Sequence, residues 1–138
     1  MVTDSSMTTI GILLLALVTV ESGGVFMARV VTGGQPANKL QTSFFRAGHA
    51  HAGVLLILGI VIQIPLSQVD TSGVVGWVAS GGVPLAAILM PAGFFLSVLG
   101  KDPAKPGRLI GLLWAGAVIL TLGLLSAGVL VLRAGVTG

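Results

Sequence analysis

The chain has no cysteine and no tyrosine, and only 8% of its 138 residues carry charge. Without cysteine it cannot form a disulfide, a thiolate metal site, an iron–sulfur cluster or a covalently attached c-type haem. Four carboxylates stand against seven basic side chains, a formal charge of +3. So few cations do not make the basic stripe by which nucleic-acid-binding proteins are recognised. What the chain has in quantity is apolar: 54% of its residues are hydrophobic, and 21 are glycine. Those proportions belong to a polytopic membrane protein rather than to a water-soluble domain.

Four spans are expected in one transmembrane domain covering residues 1–138: approximately 7–31, 44–66, 76–100 and 108–132. Each supplies the 20 or so mostly apolar residues that a hydrocarbon core about 30 Å thick demands of a helix. The intervening stretches TGGQPANKLQTS, SQVDTS and KDPAKPG are rich in turn-forming residues. Connections this short set neighbouring helices antiparallel, so the expected fold is all-α, an integral membrane four-helix bundle. The opening MVTDSS lacks the basic n-region of a secretory signal, and the first segment is expected to remain as a span.

Charge placement sets the expected orientation. Arg29, Lys39 and Arg46 flank the first connection, and Lys101, Lys105 and Arg108 flank the third, against Asp102 alone. Asp4, Asp70 and Arg133 lie on the opposite side. The positive-inside rule then puts both termini outside, in a cytoplasmic membrane of the bacterial kind crossed several times.

Chemistry-bearing side chains are few. Both histidines, His49 and His51, fall near the cytoplasmic end of the second span, among Ala47, Gly48, Ala50, Ala52 and Gly53. Ionisable groups inside a span are costly and mark a candidate site. Small neighbours leave a flat surface for a wide ligand or another backbone. Two residues on a helix turn through about 200°, so the two imidazoles leave on nearly opposite faces and cannot grip one ion together. One can serve as an axial ligand to haem iron. In the alternative reading both histidines face the bundle, hydrogen-bonded to carbonyls or to Glu21. Glu21 is the only carboxylate inside a span. It is read either as a bundle group, protonated or paired with Arg46 or Arg29, or as the acceptor that fixes a histidine tautomer. Trp114 lies at a similar depth in the fourth span, lining the same layer or simply packing. Trp77 reads as an interfacial anchor.

The run RAGHAHAG at residues 46–53, at the start of the second of four spans in a small membrane protein, resembles the styrene oxide isomerase and hydroxylaminobenzene mutase group. That resemblance implies a homotrimer of four-helix protomers. It also implies b-type haem held between subunits by a histidine, with ferric iron acting as a Lewis acid in epoxide or hydroxylamine rearrangement. Aligned on His-small-Gly, the axial ligand falls on His51, followed by Ala52 and Gly53. His49, Gly48 and Trp114 are then further candidates for the cofactor's surroundings, and Glu21 and Arg46 for the shell behind them. The chain departs from the family where an Asn near the haem is replaced by the apolar stretch Leu55 to Leu58, and where a substrate-side Tyr has no counterpart.

The competing function is a non-catalytic accessory subunit of a larger membrane complex, without a cofactor of its own. A transporter is disfavoured, since no helix offers a solute a continuous line of polar groups. Whichever holds, the expected partners are membrane lipid and further copies of the chain.

Overall fold

In lipid a backbone can satisfy its own polar groups only as a helix or a closed barrel, and this chain takes the first solution. A computed structural model describes residues 3–137. Its helices are α1 (Asp4–Val31), α2 (Lys39–Leu66), α3 (Gly73–Ser97) and α4 (Gly111–Thr137), the last preceded by a single 3₁₀ turn at Arg108–Ile110. No strand occurs among the described residues. All four helices are long and apolar enough to cross a membrane, so the protein is an all-α, multi-pass integral membrane protein whose outer surface meets lipid.

Helix α2 starts at Lys39, ahead of the expected Phe44, and α3 ends at Ser97, short of the expected Gly100; local hydrogen bonding explains the first. At the start of α2 the Asn38 carboxamide oxygen accepts from the Gln41 N–H at 2.8 Å, and the Gln41 side-chain oxygen accepts from the Asn38 N–H at 3.1 Å. This reciprocal box satisfies two amide groups that a helix start leaves orphaned. With it the mostly polar residues 39–43 form the first turn of α2. The same two side chains tie the first connection to the third. Gln41 Nε2 donates to the carbonyls of Val98 and Gly100, and Asn38 Nδ2 donates to Asp102 Oδ1 and to the Pro103 carbonyl. Between α2 and α3, Asp70 Oδ1 accepts from the Ser72 N–H at 2.9 Å. That bond holds the Asp70 carboxyl below the usual carboxylate range.

Packing follows chain order: α1 on α2, α2 on α3, and most closely α3 on α4. Helix α3 is the inner element, with Ala79, Val83 and Ala86 fully buried. Small residues let it approach its neighbours. A Cβ on Gly82 would stand 2.7 Å from Gly123 Cα, and one on Gly93 would overlap the backbone of Leu113. Pro84 and Pro91 both lie inside α3. A proline frees the carbonyl four residues before it, which for Pro84 is that of Ser80. Gln63 of α2, buried to 1% exposure, donates to this carbonyl at 2.9 Å. The proline's orphan and the buried amide thus satisfy each other. Among the described residues no buried side-chain polar atom is left without a partner.

Candidate functional site

The histidine-bearing turn of α2 is fixed by aromatic packing below it. Phe45 meets Phe26 of α1 edge-on at 5.4 Å and stacks on Phe95 of α3 at 5.5 Å, while Phe44 meets Phe94 edge-on at 5.7 Å. With α2 held on both flanks, the 200° separation of the histidines sends one imidazole to each flank.

His49 goes to α1. A Cβ on Gly23 would stand 3.4 Å from His49 Nδ1, and one on Gly24 3.8 Å from Nε2, so the ring lies along two residues with no side chain. His51 goes to the other flank, its ring 4.9 Å from that of Phe94 on α3. His51 Nδ1 lies 2.8 Å from the Ala47 carbonyl oxygen. A carbonyl can only accept, so Nδ1 carries the proton and donates. In the neutral ring Nε2 then keeps its lone pair, and no residue among those described bonds to it. Both rings are half-buried.

The other expected residues divide. Gly48 does not present a surface for a ligand: a Cβ there would come within 2.8 Å of the Phe95 ring and 3.0 Å of Phe94. Its smallness serves the α2–α3 contact. Gly53 turns toward Val20 of α1, and Ala52 is half-buried. The small residues left beside His51 are Ala47, half-buried, and Ala50, exposed. Trp114 is 67% exposed on α4, with no ring contact to either histidine.

Glu21 also departs from expectation. It is exposed and makes no hydrogen bond or ion pair among the described residues. Beside Glu21, the α1 residues that face α2 are Val20, Gly23 and Gly24. Glu21 is turned about 100° from Val20, which carries its carboxylate out of the helix contact. It therefore neither fixes the tautomer of His49 nor pairs with Arg29 or Arg46 within the chain. Arg46 is exposed at the edge of an open concavity of about 370 Å³, lined by Met27, Ala28, Val31, Arg46 and His49.

Two features lay outside the sequence reading. Phe94, which packs against His51, stands 43 positions further along the chain, and only the pairing of α2 with α3 brings it there. The other is an apolar cleft of about 650 Å³ at the Trp77 end of the bundle, walled by Leu13 and Ala16 of α1, Leu56 of α2, Pro84 of α3 and Ile119 of α4. It contains no ionisable group. Among the described residues no three His, Asp or Glu side chains converge as a metal-binding group. The two imidazoles lie on opposite flanks of α2, one against α1 and one against α3. No family model, curated protein or solved structure matches this chain.

Proposed function

We propose that the protein is a membrane haem-b protein in which His51 Nε2 is the axial ligand. The observation that carries this reading is the bond from His51 Nδ1 to the Ala47 carbonyl. A ligating histidine needs its second nitrogen engaged by a hydrogen-bond acceptor, which sets the tautomer and raises the basicity of the ligating atom. His51 meets that requirement with the backbone of its own helix. Its single-imidazole donor set suits a macrocycle that brings four nitrogens of its own, and not a bare ion needing three or four protein ligands.

In this reading Phe94 holds the imidazole on one side, while Ala47 and Ala50 leave room along α2 for a flat group. Bound haem would supply a ferric Lewis acid able to polarise an oxygen or nitrogen of a small apolar substrate, as in intramolecular epoxide or hydroxylamine rearrangement. The protein's share is to orient the ring and, with lipid around it, to exclude water. In this reading a second copy of the chain completes the site at the half-buried His51, and the assembly proposed is a homotrimer. Its subunit interfaces also cover Glu21, whose exposure inside a span is otherwise costly.

The same carboxylate favours a second reading, an accessory subunit that docks a different membrane protein through the Glu21 face of α1. Purification after haem-replete expression separates the two. A Soret band with about one haem per chain, in an assembly of three copies in mild detergent, supports the first. A colourless protein that leaves the membrane with other subunits supports the second.

A further inference from the structure

The outer face of α2 carries a group of side chains that the histidine site does not use. Lys39, Thr42, Ser43 and Arg46 are spaced i, i+3, i+4 and i+7, which places all four within an arc of about 100°. They line, with Ala37, an open concavity of about 350 Å³ at the start of α2. Lys39 and Arg46 are exposed, and neither meets a carboxylate; the Thr42 and Ser43 hydroxyls make no hydrogen bond among the described residues. Two unpaired cations and two free hydroxyls on one concave face are the donor set of a phosphodiester site.

Depth identifies the ligand further. Lys39 opens the helix, at the level of the headgroups, and Arg46 lies about 10 Å further into the span. A guanidinium at that depth is drawn back toward the interface along its own alkyl stem, and so toward Lys39. Arg46 is also shared with the neighbouring 370 Å³ concavity, whose α1 wall is Met27, Ala28 and Val31. A cationic, hydroxylated shelf thus adjoins, at Arg46, a trough whose α1 wall is apolar and whose α2 wall includes His49. Free phosphate would use the shelf and leave the trough empty. We propose that the α1–α2 groove holds one anionic phospholipid, its phosphodiester between Lys39 and Arg46 and its acyl region along Met27, Ala28 and Val31.

The proposal rests on the four-span architecture and not on haem. It is tested by native mass spectrometry of the full chain released from nanodiscs of phosphatidylcholine with one-fifth phosphatidylglycerol. The wild type is expected to retain one phosphatidylglycerol per chain in preference to phosphatidylcholine. Each basic residue near an anionic headgroup contributes roughly fivefold in affinity, so Lys39→Gln with Arg46→Gln should weaken retention by about 25-fold. The exchanged pair Lys39→Arg with Arg46→Lys should keep the preference. Lys101→Gln with Lys105→Gln, which removes the same charge from the third connection, should keep it too, and excess inorganic phosphate should not displace the lipid. Equal retention of the two lipids by the wild type overturns the proposal. So does an equal loss in the Lys101 and Lys105 pair, which would show diffuse surface charge, or displacement by inorganic phosphate.

Discussion

His49 and His51 stand two residues apart on α2 and serve different helix pairs: the first lies over Gly23 and Gly24 of α1, the second against Phe94 of α3. The division follows from 100° per residue on a helix held between two neighbours. It makes the histidines separable by mutation, because neither ring can take the other's place without unwinding a turn.

The most particular packing prediction concerns Gln63 and Pro84. Removing the buried amide by Gln63→Leu leaves the Ser80 carbonyl without a donor, at a cost of about 1–3 kcal/mol. Pro84→Ala restores a backbone N–H that can reach this carbonyl. The cost of Gln63→Leu should therefore shrink in a Pro84→Ala background, as a double-mutant cycle of unfolding in detergent would show. An unchanged cost would mean that the Gln63 bond does not answer the proline.

Adjacent glycines of α3 should respond in opposite ways. A methyl at Gly82 meets the backbone of Gly123, whereas one at Gly81 meets nothing within 4 Å. Gly82→Ala forces α3 and α4 apart and should destabilise by about 1–3 kcal/mol. Gly81→Ala gains helix propensity, up to about 1 kcal/mol. Thermal unfolding of the two variants side by side reads the difference directly.

Orientation follows from the clustering of six of the seven basic residues at the first and third connections. The native chain has no cysteine, so single cysteines report cleanly. Lys39→Cys and Lys105→Cys are expected to resist a membrane-impermeant thiol reagent in intact cells, and Thr71→Cys to react. Labelling in the reverse pattern would invert the topology.

The spans were readable because lipid allows so few solutions: an apolar run of sufficient length must be a helix. Their ends were less so. Residues 39–43 look like a loop by composition, yet they form the first turn of α2, capped by the reciprocal bonds of Asn38 with Gln41. The opposite faces of His49 and His51 followed from helical periodicity. What periodicity could not supply was which neighbour each face meets. Gly48 reads in sequence like open surface, yet Phe94 and Phe95 fill the space beside it. Glu21 reads like a bundle group because a carboxylate in lipid is costly, yet one chain leaves it uncovered. The sequence of a single chain carries no mark of a surface that further copies or partners would bury.

We propose that His51 ligates haem iron while His49 serves the α1–α2 contact. It is tested most directly by the Soret absorbance per chain of the wild type, His51→Ala and His49→Ala, purified after haem-replete expression. Loss of an axial bond removes the haem's protein tether, whereas loss of a supporting contact costs about 10- to 100-fold in metal affinity. The expected outcome is a Soret band in the wild type, its loss or gross alteration in His51→Ala, and retention of most of it in His49→Ala under saturating haem. A wild type without a Soret band, or a band that survives His51→Ala and vanishes in His49→Ala, would contradict it.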